Sequence, residues 1–368
     1  MPGNAKDPKR NKRLFVTDLH MGPGRTPKLD KHDYDWLKPA EAESFANFLK
    51  YVNESDDIKE VVLLGDVMET WVCPVDEVPP SYDEIITAEK NKGIVKQLKD
   101  LAKNEAIKLL YFPGNHDMSI TPDFLDFNFP GIVFGGSAAH NSAFSAGRIL
   151  AEHGSAYAMF CAPDPVNNPG NRLPLGYFIS RIVATKVANT GTAKHHYWRY
   201  VDDLIECLGP QTLPASVFEA VLEEADLPED VEIKMSSNGG RTYSVGAGEV
   251  KEKYKNVYED WRSKKGDGMA FLAVWAELGH LGKIADLLCK KGNTKIVIFG
   301  HSHGCKLDRD SWLVEDRIYA NCGTWCDEDK PRTFVETEKD TKAGRHYVRL
   351  MEWDGREAHQ MGQEYLEI

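Results

Sequence analysis

Residues 296–303 read Ile-Val-Ile-Phe-Gly-His-Ser-His, an apolar run that ends in two histidines separated by one serine. A short run of β-branched and aromatic residues that ends at a glycine is typical of a fully buried strand. Imidazole is the commonest metal ligand in proteins, and two imidazoles at one strand end can face the same ion. The stretch therefore predicts a metal site at the tip of a buried strand.

Four upstream segments repeat this design. Each is a hydrophobic run that ends in Asp, Asn or His, and they cover residues 14–20, 61–66, 109–117 and 149–154. In open α/β sheets, ligands bind at the carboxyl ends of the strands. We therefore expect five strand ends to converge on one site. Its candidate residues are Asp18, His20, Asp66, Asn115, His116, Asp117, His153, His301 and His303.

The polar motifs at these strand ends occur in a defined order. They are D-x-H at 18–20, G-D at 65–66, G-N-H-D at 114–117, H-G at 153–154 and G-H-x-H at 300–303. In this order they resemble the calcineurin-like metallophosphoesterase family, over residues 13–154 and 295 to about 325. The resemblance implies a four-layer α-β-β-α sandwich. The residues alone support an α/β core with later antiparallel strands.

The resemblance also implies a centre of two divalent metal ions that share Asp66. One ion would be bound by Asp18, His20, Asp66 and His303, and the other by Asp66, Asn115, His153 and His301. Nitrogen and hard oxygen ligands suit manganese, iron or zinc, and we expect manganese first. His140, in a turn rich in Gly, Ser and Ala, competes with His153 for its position.

The implied reaction is hydrolysis of a phosphoester or pyrophosphate bond by a metal-activated water. His116 would stabilise the transition state or protonate the leaving group. Asp117 is a candidate to orient His116, and capping of the following loop is an equally good interpretation. Glu69 and Trp71 are expected to be a hydrogen-bonding partner and a packing aromatic beside the site.

The chain divides into three parts. Residues 1–12 predict a disordered, solvated basic tail, with weak tethering to an anionic membrane as the alternative. Residues 13–154 and 295–368 would form the metallophosphoesterase core, and residues 155–294 an inserted helical cap.

Local patterns place elements within the core and the cap. In the core we expect helices at 40–51 and 82–104, strands at 107–112 and 317–325, and alternating strands at 334–338 and 346–353 that complete the second sheet. In the cap we expect helices at 173–187, 197–207, 215–225 and 268–291, and a turn-rich stretch at 228–248.

Substrate selection is expected to depend on the cap. Its candidate substrate contacts are Arg172, Arg181, His195 and His196, together with Lys194 and Arg199. A solvated face is an equally good interpretation for any one of these residues. The apolar face of the helix at 173–187 fits either ordinary core or a lipid groove.

Composition narrows the partners. The 368 residues carry a net charge of -12, which argues against a nucleic-acid-binding surface. Seven scattered cysteines without a secretory apolar segment indicate reduced thiols and a cytoplasmic location, with contact at the inner membrane face left open. The expected partner is a small-molecule or lipid-linked phosphate substrate.

Three alternatives to a general phosphohydrolase remain, two of them specific enzymes and one a non-catalytic protein. Residues 65–71 (Gly-Asp-x-x-Glu-x-Trp), His153-Gly154 and the cap are similar to the UDP-2,3-diacylglucosamine hydrolases, which split a pyrophosphate and hold acyl chains under a cap. The chain departs from them in its longer insertion and in His116, where they commonly carry arginine. A nuclease-like phosphodiesterase is a second alternative. A non-catalytic interaction module is the third, although its ligand positions would be expected to be lost.

Overall fold

The computed structural model describes residues 10–135, 143–169, 171–207, 213–237, 240–290, 292–311 and 313–368. The strands in these ranges are β1 (Lys12–Val16), β2 (Ile58–Leu64), β3 (Lys108–Phe112), β4 (Val133–Phe134), β5 (Phe144–Ala146), β6 (Ile149–Ala151), β7 (Glu232–Ser236), β8 (Thr242–Gly246), β9 (Ile296–Phe299), β10 (Lys306–Arg309), β11 (Ile318–Asn321), β12 (Thr333–Asp340), β13 (Arg345–Trp353) and β14 (Ala358–Glu367).

The α-helices in the same ranges are α1 (Pro39–Glu54), α2 (Tyr82–Thr87), α3 (Lys92–Ala102), α4 (Pro122–Asn128), α5 (Leu175–Thr190), α6 (Lys194–Cys207), α7 (Leu213–Glu224), α8 (Ala247–Tyr254), α9 (Val257–Lys265), α10 (Asp267–Glu277) and α11 (Gly282–Lys290). None of these helices combines the length and the apolar character that a membrane crossing needs.

The first sheet has the strand order β14-β13-β12-β1-β2-β3-β4. Strands β1 to β4 are parallel, whereas β12, β13 and β14 continue from β1 as an antiparallel meander. The prediction that residues 334–338 and 346–353 complete the second sheet is therefore wrong, because they extend the first. Alternation indicates which face of a strand is buried and carries no information about the edge to which that strand is added.

The second sheet has the order β10-β11-β9-β6-β5. Its three central strands are parallel, and the two edge strands are antiparallel to their neighbours. Residues from both ends of the sequence-defined core meet here, because β6 precedes the insertion and β9 follows it.

Three hydrophobic cores separate four layers. Val61 and Leu63 pack with α1 and α3, whereas Val62 and Leu64, on the opposite face of β2, pack against the second sheet. On the far side of the second sheet, Val297 and Phe299 pack with α11. The predicted four-layer α-β-β-α sandwich is confirmed, with parallel strands at the centre of both sheets.

In its described ranges the insertion is mainly helical and contains one hairpin. Helix α5 is buried on almost every side and packs with α7 and α8 in the same core as the outer helices of the first sheet. The turn-rich stretch at 228–248 holds the β7–β8 hairpin. The single helix expected at 268–291 is two helices, interrupted at Gly279 with φ of 78°, and the second of them, α11, covers the second sheet.

The predicted tail is ordered where it approaches the core. Residues 1–9 lie outside the described ranges. Residues 10–12 are held beside β2, since Arg10 Nη1 donates to the carbonyl of Ile58 and β1 begins at Lys12. The structure therefore places the last three residues of the predicted tail, 10–12, against the core.

Candidate metal centre

The seven predicted ligands lie together where strands of both sheets end. Those that follow β1, β2 and β3 of the first sheet are Asp18, His20, Asp66 and Asn115. Those that follow β6 and β9 of the second sheet are His153, His301 and His303. The convergence expected from the sequence thus joins two sheets rather than one open sheet.

Asp18, His20 and His303 form one half of the cluster. The Nε2 atoms of the two histidines are 3.1 Å apart, and His303 Nε2 lies 3.3 Å from Asp18 Oδ1. His20 Nε2 is 3.7 Å from the same oxygen and 3.8 Å from Asp66 Oδ2. Two ring nitrogens and a carboxylate oxygen therefore face one another, as ligands of a single ion would.

Asp66, Asn115, His153 and His301 form the other half. His153 Nε2 lies 3.0 Å from Asp66 Oδ2 and 3.1 Å from Asn115 Oδ1. The imidazoles of His153 and His301 have centroids 5.3 Å apart. Asp66 Oδ2 thus lies between the two halves, at the position a bridging carboxylate requires. His140, the competitor for the role of His153, lies outside the described residues.

The backbone at this cluster is unusual. Asp18, His20 and Asp66 have φ of 54°, 52° and 52°, and His301 and His303 have φ of 68° and 54°. Positive φ is uncommon for residues other than glycine, and such strained positions cluster at functional sites. The surrounding fold therefore holds these five side chains in place against their own backbone preference.

Two glycines allow the strand ends to approach each other. A Cβ atom on Gly65, whose φ is 91°, would lie 2.7 Å from the backbone of Gly114. A Cβ atom on Gly114 would lie 2.7 Å from the backbone nitrogen of Asp66. The close contact that places Asp66 at the centre of the cluster is open to glycine alone.

The donor set fits divalent cations. Asp18 Oδ1 is buried and, among the described residues, has no hydrogen-bond donor. Burial acts to raise the pKa of Asp18, but the imidazoles of His153 and His303 hold it well below its usual value. Burial acts to lower the pKa of His153, but Asp66 and Asp18 raise it to about 9. Buried carboxylates thus demand positive charge, which a divalent ion can supply instead of protons on the imidazoles.

Glu69 connects the cluster to His116. Its carboxylate accepts from His20 Nδ1 at 2.7 Å and from His116 Nδ1 at 2.9 Å. Burial acts to raise the pKa of Glu69, but mainly His116 lowers it to about 2. A carboxylate on Nδ1 fixes the tautomer and leaves Nε2 for a metal or a substrate. The predicted hydrogen-bonding role of Glu69 agrees with these contacts, and Trp71 stacks on the His116 ring with centroids 4.4 Å apart.

The contacts of Asp117 do not fit the catalytic role considered for it. Its carboxylate accepts from the backbone N–H groups of Gly114 at 2.6 Å and Val67 at 2.9 Å, and from the Tyr111 hydroxyl. It is fully buried, and the carboxylate that orients His116 is Glu69. We therefore correct the assignment of Asp117, which holds the loop in the manner of the capping interpretation.

Two further residues lie beside the centre: Asp327, which sequence reasoning missed, and Cys326, which the lack of a partner pair with zinc-finger spacing had favoured as a buried small residue. Asp327 Oδ2 accepts from His303 Nδ1 at 2.9 Å. The Cys326 thiol lies within 4.8 Å of ring nitrogens of His20 and His303, so a soft donor borders a set expected to contain none. No motif marks either residue. The one signal in the sequence was the strand predicted at 317–325, which ends directly before them.

A cavity of about 410 Å³ opens between the cluster and the insertion. On the side of the cluster it is lined by Asp66, Asn115, His116, His301 and His303. On the side of the insertion it is lined by apolar Phe160, Ile179, Val201, Ile205 and Leu278 and by charged Lys194, Arg199, Asp202 and Glu277. Lys194 and Arg199 thus border the cavity, as the sequence suggested.

The other predicted substrate contacts are not among the described residues that line this cavity. Arg181 is fully buried, and its guanidinium donates to the carbonyls of Cys73, Pro74, Glu77 and Lys234 and to the Tyr177 hydroxyl. Because its donors are all engaged, its assignment as a substrate contact is wrong. Arg172 lines a separate pocket of about 240 Å³. The side chains of His195 and His196, on α6, lie outside what the structure describes.

Comparison with solved structures gives similarities of low identity. The chain resembles vacuolar protein sorting 29 from Cryptosporidium parvum, with 11% identity, a TM-score of 0.33 and coverage of 97% of this chain and 98% of that one. It also resembles a dimetal phosphatase from Danio rerio, with 11% identity, a TM-score of 0.39 and coverage of 96% and 99%. A third similar structure is Vps29 complexed with zinc from Entamoeba histolytica, with 9% identity, a TM-score of 0.32 and coverage of 97% and 98%.

Comparison of sequences gives one match to a family model. No curated protein sequence matches the chain. The sequence model of the calcineurin-like phosphoesterase family matches residues 12–179, the part that carries β1 to β3, β6 and four of the five motifs. Over residues 12–179 the chain is therefore similar to the calcineurin-like phosphoesterases.

Proposed function

We propose that this protein is a metal-dependent phosphohydrolase that uses two divalent ions, with manganese expected first, to cleave a phosphoester or pyrophosphate bond. The observation that carries the proposal is the meeting of seven carboxylate, amide and imidazole side chains in one cluster that borders the cavity, with Asp66 between the two halves. A decayed, non-catalytic relative would be expected to have lost part of this set.

The ligands divide the work. Two adjacent divalent ions, when bound, supply an activated water and neutralise the charge of the transferring phosphoryl group. Asp18, His20 and His303 would hold one ion, Asn115, His153 and His301 the other, and Asp66 both. The local positive charge of such a centre attracts an anionic substrate to a protein whose net charge is -12.

His116 is the proposed proton donor or electrostatic partner of the leaving group. It lines the cavity, and its Nδ1 donates to Glu69. The stacked Trp71 ring and the Asp66 carboxylate, which accepts from the His116 backbone N–H at 2.8 Å, fix its position. Nε2 is thereby left for the substrate. A positioned acid of this kind contributes about 10² to 10⁴ in rate.

The walls of the cavity favour a substrate that is anionic at one end and apolar at the other. Opposite the metal ligands lie Phe160, Ile179, Val201, Ile205 and Leu278. This apolar wall supports a lipid-linked phosphate or pyrophosphate as a specific candidate, similar in chemistry to the UDP-2,3-diacylglucosamine substrates. A phosphomonoester or diester with a small apolar leaving group is the simpler one.

The experiment compares manganese-dependent hydrolysis of a phosphomonoester, a phosphodiester and a nucleotide pyrophosphate, each with and without an alkyl chain. We expect turnover that disappears with a chelator and returns with manganese. His116→Ala should keep both ions and lose about 10² to 10⁴ in kcat.

Two results would count against the proposal. If the protein binds two ions but hydrolyses none of these substrates, the non-catalytic alternative gains. If His116→Ala releases metal, its assigned role is wrong.

A further inference from the structure

Lys194 reaches from the insertion to the metal centre. It is the first residue of α6, and its Nζ lies 2.8 Å from Asp327 Oδ1 and 3.2 Å from the carbonyl oxygen of Cys326. The same ammonium group lies 4.8 Å from the centroid of the Trp36 ring. A lysine with an ion pair, a carbonyl acceptor and an aromatic face around it is fixed in one position.

Asp327 carries this contact on to a predicted metal ligand. Its Oδ2 accepts from His303 Nδ1 at 2.9 Å, whereas Lys194 binds the other oxygen, Oδ1. Lys330 Nζ also lies 3.1 Å from Oδ2, so Lys194 is the lysine on Oδ1, and contacts on both oxygens fix the rotation of the carboxylate. With Nδ1 engaged, His303 presents Nε2, which lies 3.3 Å from Asp18 Oδ1.

Trp36 ties the same group of residues together. Its ring centroid lies 4.6 Å from that of His20, 5.3 Å from that of His116 and 5.9 Å from that of His303. Trp36 therefore contacts both the Lys194 ammonium group and three imidazoles of the proposed active site. Helix α6 also lines the cavity with Val201, Asp202 and Ile205.

We infer that Lys194 is a positioning residue: through Asp327 it orients His303, so that the helical insertion helps to assemble the ion site of Asp18, His20 and His303. The inference rests on the proposed metal centre. It means that the insertion supports one half of the centre directly, in addition to forming the wall of the cavity. Loss of the contact between Lys194 and Asp327 should selectively weaken the binding of one of the two ions.

The test measures metal binding and needs no turnover. In Lys194→Met, competition titration with a chromophoric chelator should show one manganese site weakened by about 10- to 100-fold, as is usual for loss of a partner of a metal ligand. The absorption bands of the cobalt-loaded protein should change, because the orientation of His303 is altered. Lys194→Arg keeps the ion pair and should restore most of the affinity.

Matched controls separate this effect from a general loss of structure. Lys186→Met removes a lysine on α5 that pairs with the exposed Asp226, also within the insertion, and should leave both affinities unchanged. In an Asp327→Asn background, Lys194→Met should cost less than about 2-fold, because the two changes break the same linkage. Asp327→Asn alone should reproduce the loss at one site.

Unchanged affinity of both ions in Lys194→Met overturns the inference, and a rise in KM alone would assign Lys194 to the substrate instead. An equal loss at both sites, or a loss that persists in the Asp327→Asn background, also overturns it. If the wild-type protein binds no metal, the proposed function itself fails, and that result is distinct from all of these.

Discussion

The metal centre and the insertion both bury charged side chains, but they satisfy them to different degrees. In the insertion, Arg181 has its guanidinium donors paired with four carbonyls and a hydroxyl. In the centre, Asp18 Oδ1 is buried without a donor among the described residues, and five of the seven predicted ligands have a backbone with positive φ. Complete hydrogen bonding of a buried charged group indicates a structural role. Incomplete hydrogen bonding on strained backbone indicates a ligand-binding site.

The largest effect should come from the carboxylate shared by the two halves of the centre. Asp66→Asn removes the charge that faces His153 and His20, and we expect loss of metal binding and of hydrolysis to background. The loss should exceed the ~10–100-fold that follows removal of an outer partner of a ligand. Metal analysis and turnover measured on the same preparation check it. Retention of both ions would break the contrast between the two regions.

Replacing each of the two carboxylates near His116 in turn tests which of them orients its imidazole. Glu69→Gln weakens the orientation of both His20 and His116, and we expect kcat to fall by about 10- to 100-fold. Asp117→Asn should change kcat less, because Asp117 contacts loop N–H groups and the Tyr111 hydroxyl rather than the His116 ring. Steady-state kinetics of the two folded variants decide it. A larger fall in Asp117→Asn would restore its catalytic assignment.

Arg181 should affect stability and leave the chemistry intact. Arg181→Met leaves the carbonyls of Cys73, Pro74, Glu77 and Lys234 without their donor, and each buried group left unpaired costs about 1–3 kcal/mol. We expect the free energy of unfolding to fall by roughly 3 kcal/mol or more, with metal stoichiometry unchanged. Urea unfolding measures it, with Lys186→Met as a control. Loss of metal without loss of stability would contradict the structural role.

A smaller effect should appear far from the centre, at His346 on β13. Burial, and then the positive charges of Arg13 and Lys339, lower the pKa of His346 from 6.5 to about 4. Between these values the unfolded chain binds a proton that the folded chain does not, so stability falls as pH falls. The slope is at most about 1.4 kcal/mol per pH unit and levels off below about pH 4. His346→Phe should remove this slope from urea unfolding measured between pH 7 and 5, and an unchanged slope would contradict the shift.

Short-range sequence patterns predicted the structure best at the strand ends. A buried strand delivers the residue that follows it to a known edge of the sheet, and glycines such as Gly65 and Gly114 permit the close approach. The structure brings all seven predicted ligand positions together for this reason, although their role as ligands stays a prediction. Spacing along the chain offered Asp117, the neighbour of His116, as its partner, whereas Glu69 is 47 residues away and only the fold brings it to the His116 ring.

The sequence by itself determined the polar residues at the strand ends, the similarity to the calcineurin-like phosphoesterases and the helical character of the insertion, because each depends on short stretches of neighbouring residues. Only the tertiary structure decided that β12 and β13 extend the first sheet, that the guanidinium of Arg181 donates to backbone carbonyls, and that Lys194 pairs with Asp327. These outcomes depend on contacts between segments far apart in the chain. The local pattern of a strand, an arginine or a lysine is the same whichever partner the fold provides, and so the partner cannot be predicted from it.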